Sequence, residues 1–160
     1  MTYIVRLTDL IDDLKGIQMK EGIKILVGFD GSTDATKALL EAADISKKFR
    51  GSITVLTALP YEPADINVPG ARVHDRKEMK ELEELKSDAE KSLGPLGVDY
   101  EYIHDEGYDP GKMIIDHLRS GGYNLAVLGN RGIHDPSAVS MGSVSSKVAN
   151  GAHCNVLIVR

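Results

Sequence analysis

Three glycines and four serines lie between residues 129 and 145, where an apolar run leads into a helical pattern. The segment reads Gly129-Asn130-Arg131-Gly132, then nine residues, then Gly142-Ser143. Glycines let the backbone approach a ligand closely, and a helix start offers unpaired N–H groups and a positive dipole end. Ser143 and Ser145 could add hydroxyl groups. The spacing indicates an anion site without a lysine, although it also suits a surface loop whose glycines serve turns and a helix cap.

Better-known phosphate and metal motifs are missing from the sequence. No Gly-Lys-Ser/Thr closes the glycine segment, and no G-x-G-x-x-G follows the first apolar run. The five histidines have no paired metal-ligand spacing, so we expect no metal site. We expect Lys147 to be solvated and Cys154 to be a buried thiol.

Apolar runs and helical patterns alternate along the chain from residue 22. Runs buried on both faces are typical of parallel strands, and alternation with helices predicts right-handed crossovers. The fold class is therefore α/β, with a five-stranded parallel doubly wound sheet. The predicted strands are Ile23 to Phe29, Ile53 to Leu59, Val98 to Ile103 (an edge strand), Asn124 to Leu128 and Asn155 to Val159. The predicted helices are Thr33 to Phe49, with Ser32 as N-cap and Gly51 as stop, Arg72 to Leu93, one starting at Asp109-Pro110, and Ser143 to Asn150.

Such a sheet also predicts where a ligand would lie. Doubly wound sheets bind ligands beyond the carboxyl ends of the strands, at the point where the winding reverses. The residues that follow the first and fourth strands, 28–32 and 129–143, are therefore the candidate site.

Composition narrows the class of protein. The chain has 160 residues, 42% of them hydrophobic, with a net charge of −5 and a single cysteine. The length suits one domain. Without a basic stripe we expect no nucleic-acid partner. No run approaches the roughly 18 apolar residues of a membrane span. With no secretory signal and no possible internal disulfide, we expect a cytoplasmic protein.

The first 18 residues form a separate pattern. Apolar residues recur there at helical spacing, with acidic residues on other faces. We predict an amphipathic helical extension over residues 1–18, followed by a single α/β domain over residues 19–160. The extension could pack on its own domain or bind a partner or second subunit.

Several segments together resemble the universal stress protein family. The spacing G-x-x-G, nine residues, G-S matches the nucleotide signature of that family without a break. KILVGFDGS at residues 24–32 is similar to its first strand and aspartate, and the last 18 residues are similar to its closing helix and strand. The likeness covers residues 19–160 and implies the ATP-binding subgroup.

The resemblance implies a role for each residue of the site. Asp30 would accept hydrogen bonds from adenine or ribose, Gly28 would let the ligand approach, and Ala58 would line the adenine pocket, where the family often has a larger, branched residue. Leu128 and Gly129 would lie under the ribose. Arg131 could pair with a phosphate or be an exposed loop residue. The residues expected at the phosphates are Gly132, Gly142, Ser143, Val144 and Ser145.

Three functions remain open from the sequence. The first is a regulatory stress protein that binds ATP, ADP or AMP, with Mg²⁺ shielding the phosphates, and that forms a homodimer through its last strand. The second is a slow ATPase or a nucleotidyl-transferring enzyme, although no committed base or lysine is visible. The third is a dimerisation module that binds no nucleotide.

Overall fold

Strands and helices alternate along the whole described part of the chain. The computed structural model describes residues 22–60, 76–133 and 140–160. A short 3-10 helix, Gly94–Leu96, precedes the third strand. The other elements are β1 (Lys24–Gly28), α1 (Thr33–Phe49), β2 (Ser52–Pro60), α2 (Arg76–Leu93), β3 (Asp99–Gly107), α3 (Pro110–Gly121), β4 (Leu125–Gly129), α4 (Ser143–Gly151) and β5 (Asn155–Val159).

The five strands form one parallel sheet in the order β3-β2-β1-β4-β5. The chain moves outward from β1 to β3, then returns to the other side of β1 with β4. The winding therefore reverses between β1 and β4, which pair in register from Ile25 opposite Leu125 to Gly28 opposite Leu128. The predicted five-stranded, doubly wound parallel sheet is confirmed.

Two apolar layers cover the faces of the sheet. Alternate residues of β1, such as Ile25 and Val27, pack against α1 and α2, while Leu26 packs against α3 and α4. All three are fully buried. Burial on both faces explains why β1 and β4 are nearly continuous apolar runs in the sequence.

Local polar groups determine where the helices start. The hydroxyl of Ser32 accepts a hydrogen bond from the Ala35 N–H at 3.2 Å, which confirms the predicted N-cap of α1. Asp109 caps α3 in the same way through the Lys112 N–H at 3.1 Å, with Pro110 at the first helical position. In contrast, α4 begins after Gly142, which provides no side-chain cap.

Several boundaries differ from the sequence prediction by one residue, and two differences have a clear physical reason. The left-handed residue that ends α1 is Arg50, with φ 52°, rather than Gly51. A side chain on Gly51 would meet the Ile23 carbonyl oxygen at 2.4 Å, so that glycine serves close packing. Strand β3 continues four residues beyond Ile103, because it pairs with β2 as far as Pro60 opposite Gly107. Its predicted position at the sheet edge is confirmed.

Some predictions concern residues outside the ranges that the structure describes. The helical extension over residues 1–18, its boundary at residue 19 and the start of the second helix at Arg72 lie outside the described residues. Within the described ranges, none of the helices has the length and apolar character needed to cross a membrane.

Candidate functional site

The loops that follow β1 and β4 meet at the carboxyl edge of the sheet, and Asp30 joins them. One oxygen of its carboxylate accepts from the Ser32 N–H at 3.0 Å, and the other accepts from the Ile133 N–H at 3.2 Å. The Ser32 hydroxyl donates to the Arg131 carbonyl at 3.2 Å. The two segments predicted as the candidate site are therefore in direct contact.

Asn130 holds the glycine segment against the last helix and strand. Its N–H donates to the Val159 carbonyl at 2.7 Å, and its carbonyl accepts from the Gly142 N–H at 2.9 Å and the Ser145 hydroxyl at 3.0 Å. Asn130 is only 2% exposed. Through these contacts, the main chain at Gly142 is fixed beside the end of β4.

The start of α4 presents main-chain donors at this edge. The Ser146 N–H makes the first helical bond, to the Gly142 carbonyl at 2.9 Å. The preceding amides of Ser143, Val144 and Ser145 therefore have no acceptor within the helix. Ser143 is exposed and Val144 is half-buried. Three amide donors at the positive end of a helix dipole can bind an anionic group.

The hydroxyl of Ser145 is already used inside the protein. The residue is 4% exposed, and its hydroxyl lies 3.0 Å from both the Asn130 and the Gly142 carbonyl oxygens. It therefore donates to the protein main chain. Any contribution of Ser145 to a phosphate site would come from its backbone N–H, whereas the Ser143 hydroxyl lies at the surface.

At each of the four glycines of the site, a neighbouring group leaves little room for a side chain. A Cβ at Gly132 would lie 2.6 Å from an Asp30 carboxylate oxygen, and one at Gly142 would lie 2.9 Å from the Asn130 carbonyl oxygen. At Gly129 it would come within 2.7 Å of the backbone of α1. At Gly28 it would meet the Leu128 side chain at 2.5 Å. Packing alone thus explains Gly28, whose role toward a ligand stays a prediction.

Two hydroxyl groups, on β2 and β3, fix the end of β1 just before Asp30. The Thr57 hydroxyl donates to the Phe29 carbonyl at 2.9 Å, and the Tyr102 hydroxyl donates to the Thr57 oxygen at 2.8 Å. Burial raises the pKa of Tyr102 above its usual value of 10.0. Ala58, predicted at the adenine pocket, is half-buried next to this chain of hydrogen bonds.

Lys147 is exposed to solvent, as the sequence predicts, and it also has an acidic partner. Its ammonium group contacts the Asp109 carboxylate at the start of α3. That hydrogen bond lowers the pKa of Asp109 below its usual value of 3.8. Arg131, for which the sequence left two roles open, is half-buried.

The remaining candidate groups lie elsewhere. Cys154 is half-buried rather than fully buried, and this burial raises the pKa of its thiol. His117 pairs with Asp105 at 2.9 Å, on α3 and β3. Across residues 22–60, 76–133 and 140–160, no three His, Cys, Asp or Glu side chains lie together as a metal site would require.

Sequence reasoning missed the residues that hold the site together. Asn130 lies between two glycines in the sequence, but its contacts with Val159 and Gly142 depend on the folded topology. Thr57 lies within an apolar run, where its buried hydroxyl leaves no signal in the pattern. Asp109 was identified as a helix start, and its pairing with Lys147, 38 positions away, was not visible.

Two curated proteins are similar to this chain over most of its length. Universal stress protein YxiE of Bacillus subtilis is 33% identical over 151 residues, covering 86% of this chain and 98% of that protein. Universal stress protein Sll1388 of Synechocystis is 32% identical over 150 residues, covering 86% of this chain and 97% of that protein.

Solved structures share the fold. A universal stress protein from Archaeoglobus fulgidus in complex with dAMP superposes with a TM-score of 0.66 at 24% identity, covering 86% of this chain and 98% of that one. A universal stress protein in complex with cAMP gives a TM-score of 0.68 at 23% identity, covering 87% and 97%. A sequence model of the universal stress protein family matches residues 23–160. The chain therefore belongs to the universal stress protein family.

Proposed function

We propose that this protein binds an adenine nucleotide, ATP or its products ADP and AMP, with the phosphates on the amides of Ser143, Val144 and Ser145. The observation that carries the proposal is the exposed start of α4, whose three amides have no helical acceptor and which Asn130 fixes beside the end of β4. The family members with dAMP and cAMP support it, because both ligands join an adenine to a phosphate.

The adenosine part would lie toward β1 and β2. Each oxygen of Asp30 accepts one hydrogen bond from the protein, from Ser32 and from Ile133. Since a carboxylate oxygen can accept two, both have capacity left for a ribose hydroxyl or the adenine amino group. Ala58 would leave a wide pocket for the base, and Gly28, Leu128 and Gly129 would form the floor.

One buried atom of the site also favours a ligand with donors. The side-chain oxygen of Asn130 is buried and has no hydrogen-bond partner among the residues that the structure describes. A buried acceptor without a partner is costly. A donor supplied at the carboxyl edge of the sheet would remove that cost.

Mg²⁺ would enter this site with the phosphates. It prefers phosphate oxygens, one or two carboxylates and water. The described residues offer no cluster of carboxylates at the start of α4, so we propose that the ion is held mainly by the nucleotide. Its contribution would be to neutralise charge on the phosphates.

We further propose a regulatory dimer formed through β5. This strand lies at one edge of the sheet, and its residues 155–159 are only half-buried in the single chain. The opposite edge, β3, carries Glu101, Asp105 and Glu106, which oppose pairing with a second acidic edge. A cytoplasmic location stays a prediction that rests on the single cysteine.

The first experiment tests for a bound or binding nucleotide. The purified protein is denatured and the released nucleotides are separated by chromatography, and the emptied protein is titrated with ATP, ADP, AMP and adenosine by calorimetry. We expect adenine nucleotides to bind more tightly than adenosine, because the amides recognise phosphate. Absence of binding by all four would favour the dimerisation module, and turnover of ATP during the titration would favour the slow ATPase.

A proline at position 143 tests the proposed amides directly. Ser143→Pro removes one of the three N–H groups proposed to bind the phosphates, and proline fits the first position of a helix. Gly142, with φ −62° and ψ 157°, already has the extended backbone that a residue before proline needs. We expect ATP to bind about 10- to 100-fold more weakly, as for loss of a hydrogen bond to a charged group.

Ser143→Ala is the matched control, since it removes the hydroxyl and keeps the amide. It should weaken ATP binding much less than the proline does, while both variants keep the melting temperature of the wild type. Equal ATP affinity in Ser143→Pro and wild type would place the phosphates elsewhere.

A further inference from the structure

Lys147 carries a positive charge about one helical turn after the start of α4. The phosphate site proposed above, the amides of residues 143–145, does not include it. Lys147 follows Ser143 by four positions, so the two residues lie on the same face of the helix. Side chains on a helix lean toward its N-terminus. The Lys147 side chain therefore extends along α4 in the direction of the proposed phosphate site.

In the structure this cation is held by an acid at the start of the preceding helix, α3. The Lys147 ammonium contacts one oxygen of Asp109, while the other oxygen caps α3 through the Lys112 N–H. The lysine stem packs over Gly111, where an added Cβ would lie 2.8 Å from its Cδ and 3.1 Å from its Cβ. Helices α3 and α4 both begin at the carboxyl edge of the sheet. The ion pair therefore lies at the same edge as the amides proposed to bind the phosphates.

The pair is accessible and can exchange partners. The side chains of Lys147 and Asp109 are 51% and 38% exposed. Exposed ion pairs contribute little to stability, because water and salt screen them. A polyphosphate carries more charge than one carboxylate and is a common lysine partner.

We propose that Lys147 exchanges its ion pair with Asp109 for a phosphate of the bound nucleotide. The proposal rests on the proposed nucleotide site and assigns it a cation that serves only when a phosphate is present. Nucleotide binding would then also affect α3. Asp109 would still cap that helix but would no longer pair with Lys147. The surface at the start of α3 thus becomes more negative in the nucleotide-bound protein.

The first test compares ATP with adenosine in lysine variants. Lys147→Met should weaken ATP binding about five- to tenfold and leave adenosine binding unchanged, because only the phosphates need the cation. Lys147→Arg should restore most of the affinity. Lys112→Met is the matched control: it removes the same charge from the first turn of α3, but that lysine pairs with Asp116 at 2.5 Å. It should leave both affinities unchanged.

The second test follows Asp109 itself by NMR titration of its carboxyl carbon. The hydrogen bond from Lys147 lowers the pKa of Asp109. Saturating ATP should raise that pKa toward its usual value, and by more than ATP does in Lys147→Met, where only the through-space effect of the phosphates remains.

The outcomes separate the two proposals. If wild type binds neither ATP nor adenosine, the proposed function fails and the exchange fails with it. If wild type binds ATP, and Lys147→Met binds it equally well with the pKa of Asp109 unmoved by ATP, only the exchange is overturned.

Discussion

Asp30 has a structural role at the site. Its carboxylate crosslinks the loops after β1 and β4 through the Ser32 and Ile133 N–H groups. The sequence identified Asp30 as a site residue from its place after a buried strand. The partner Ile133 could not be predicted, because it lies 103 positions away and the contact exists only once the sheet has formed. Loss of this carboxylate would therefore affect the shape of the site as well as any contact with adenosine.

Tyr102 makes stability depend on pH at the alkaline end. Burial raises its pKa above 10.0, so the folded protein holds the phenol proton more tightly than the unfolded chain. This contribution to stability is complete below pH 10.0 and is lost as the pH rises through the higher folded value. We expect Tyr102→Phe to remove it, so that the free energy of unfolding falls less steeply above pH 10 than in wild type.

Urea unfolding at a series of pH values measures this difference. The quantity to compare is the slope of wild type minus that of the variant. Tyr100→Phe is the matched control on the same strand. Parallel curves for Tyr102→Phe and wild type would contradict the prediction.

Helices and strands were predictable where local chemistry determines their ends. The bounds of α1 and β5 agree with the sequence prediction, since Ser32 caps α1 and a continuous apolar run defines β5. Strand β3 was predicted too short because its last four residues, 104–107, lack an apolar pattern. They are extended because β2 lies beside them, which is a tertiary effect that no local pattern encodes.

The approach of α1 to β4 gives a prediction about Gly129. A Cβ there would lie 2.7 Å from the Ala35 nitrogen and from the Asp34 carbonyl carbon, both backbone atoms of α1. Because the helix start would have to move, Gly129→Ala should lower the free energy of unfolding by about 1–3 kcal/mol, measured by urea denaturation.

Gly28→Ala is the matched control at the neighbouring strand end. Its Cβ would meet the Leu128 side chain at 2.5 Å, and a side-chain terminus can turn aside more easily than backbone. It should cost less stability than Gly129→Ala. If Gly28→Ala costs as much or more, backbone contact with α1 is not what requires a glycine at 129.

The sequence predicts the topology of the whole sheet but not the individual contacts between its loops. Alternating strands and helices predicted the parallel sheet and the reversal of winding between β1 and β4, which is confirmed. The crosslinks at that reversal, through Asn130 and Asp30, could not be predicted, since they depend on how two loops distant in sequence pack. The sheet also leaves two unequal edges: an acidic β3 and an apolar β5.

The proposed dimer through β5 can be tested from the direction of its backbone groups. The Val159 carbonyl accepts from the Asn130 N–H on the β4 side. Since backbone groups alternate sides along a strand, Val156 and Ile158 direct theirs to the free edge. Val156→Pro removes one edge N–H and keeps the ladder with β4, as proline is tolerated at edges. We expect this variant to be monomeric in sedimentation at concentrations where wild type is dimeric.

Asn155→Pro is the control for this experiment, because it places proline at the first residue of the same strand, where proline is also tolerated. It should remain dimeric, and both variants should unfold cooperatively. A dimer that survives Val156→Pro would mean that the subunits meet through another surface, and a wild type that stays monomeric at every concentration would exclude the dimer. Loss of the dimer in Val156→Pro alone would show that the subunits meet along the free edge of β5, since the control places proline in the same strand and leaves residue 156 unchanged.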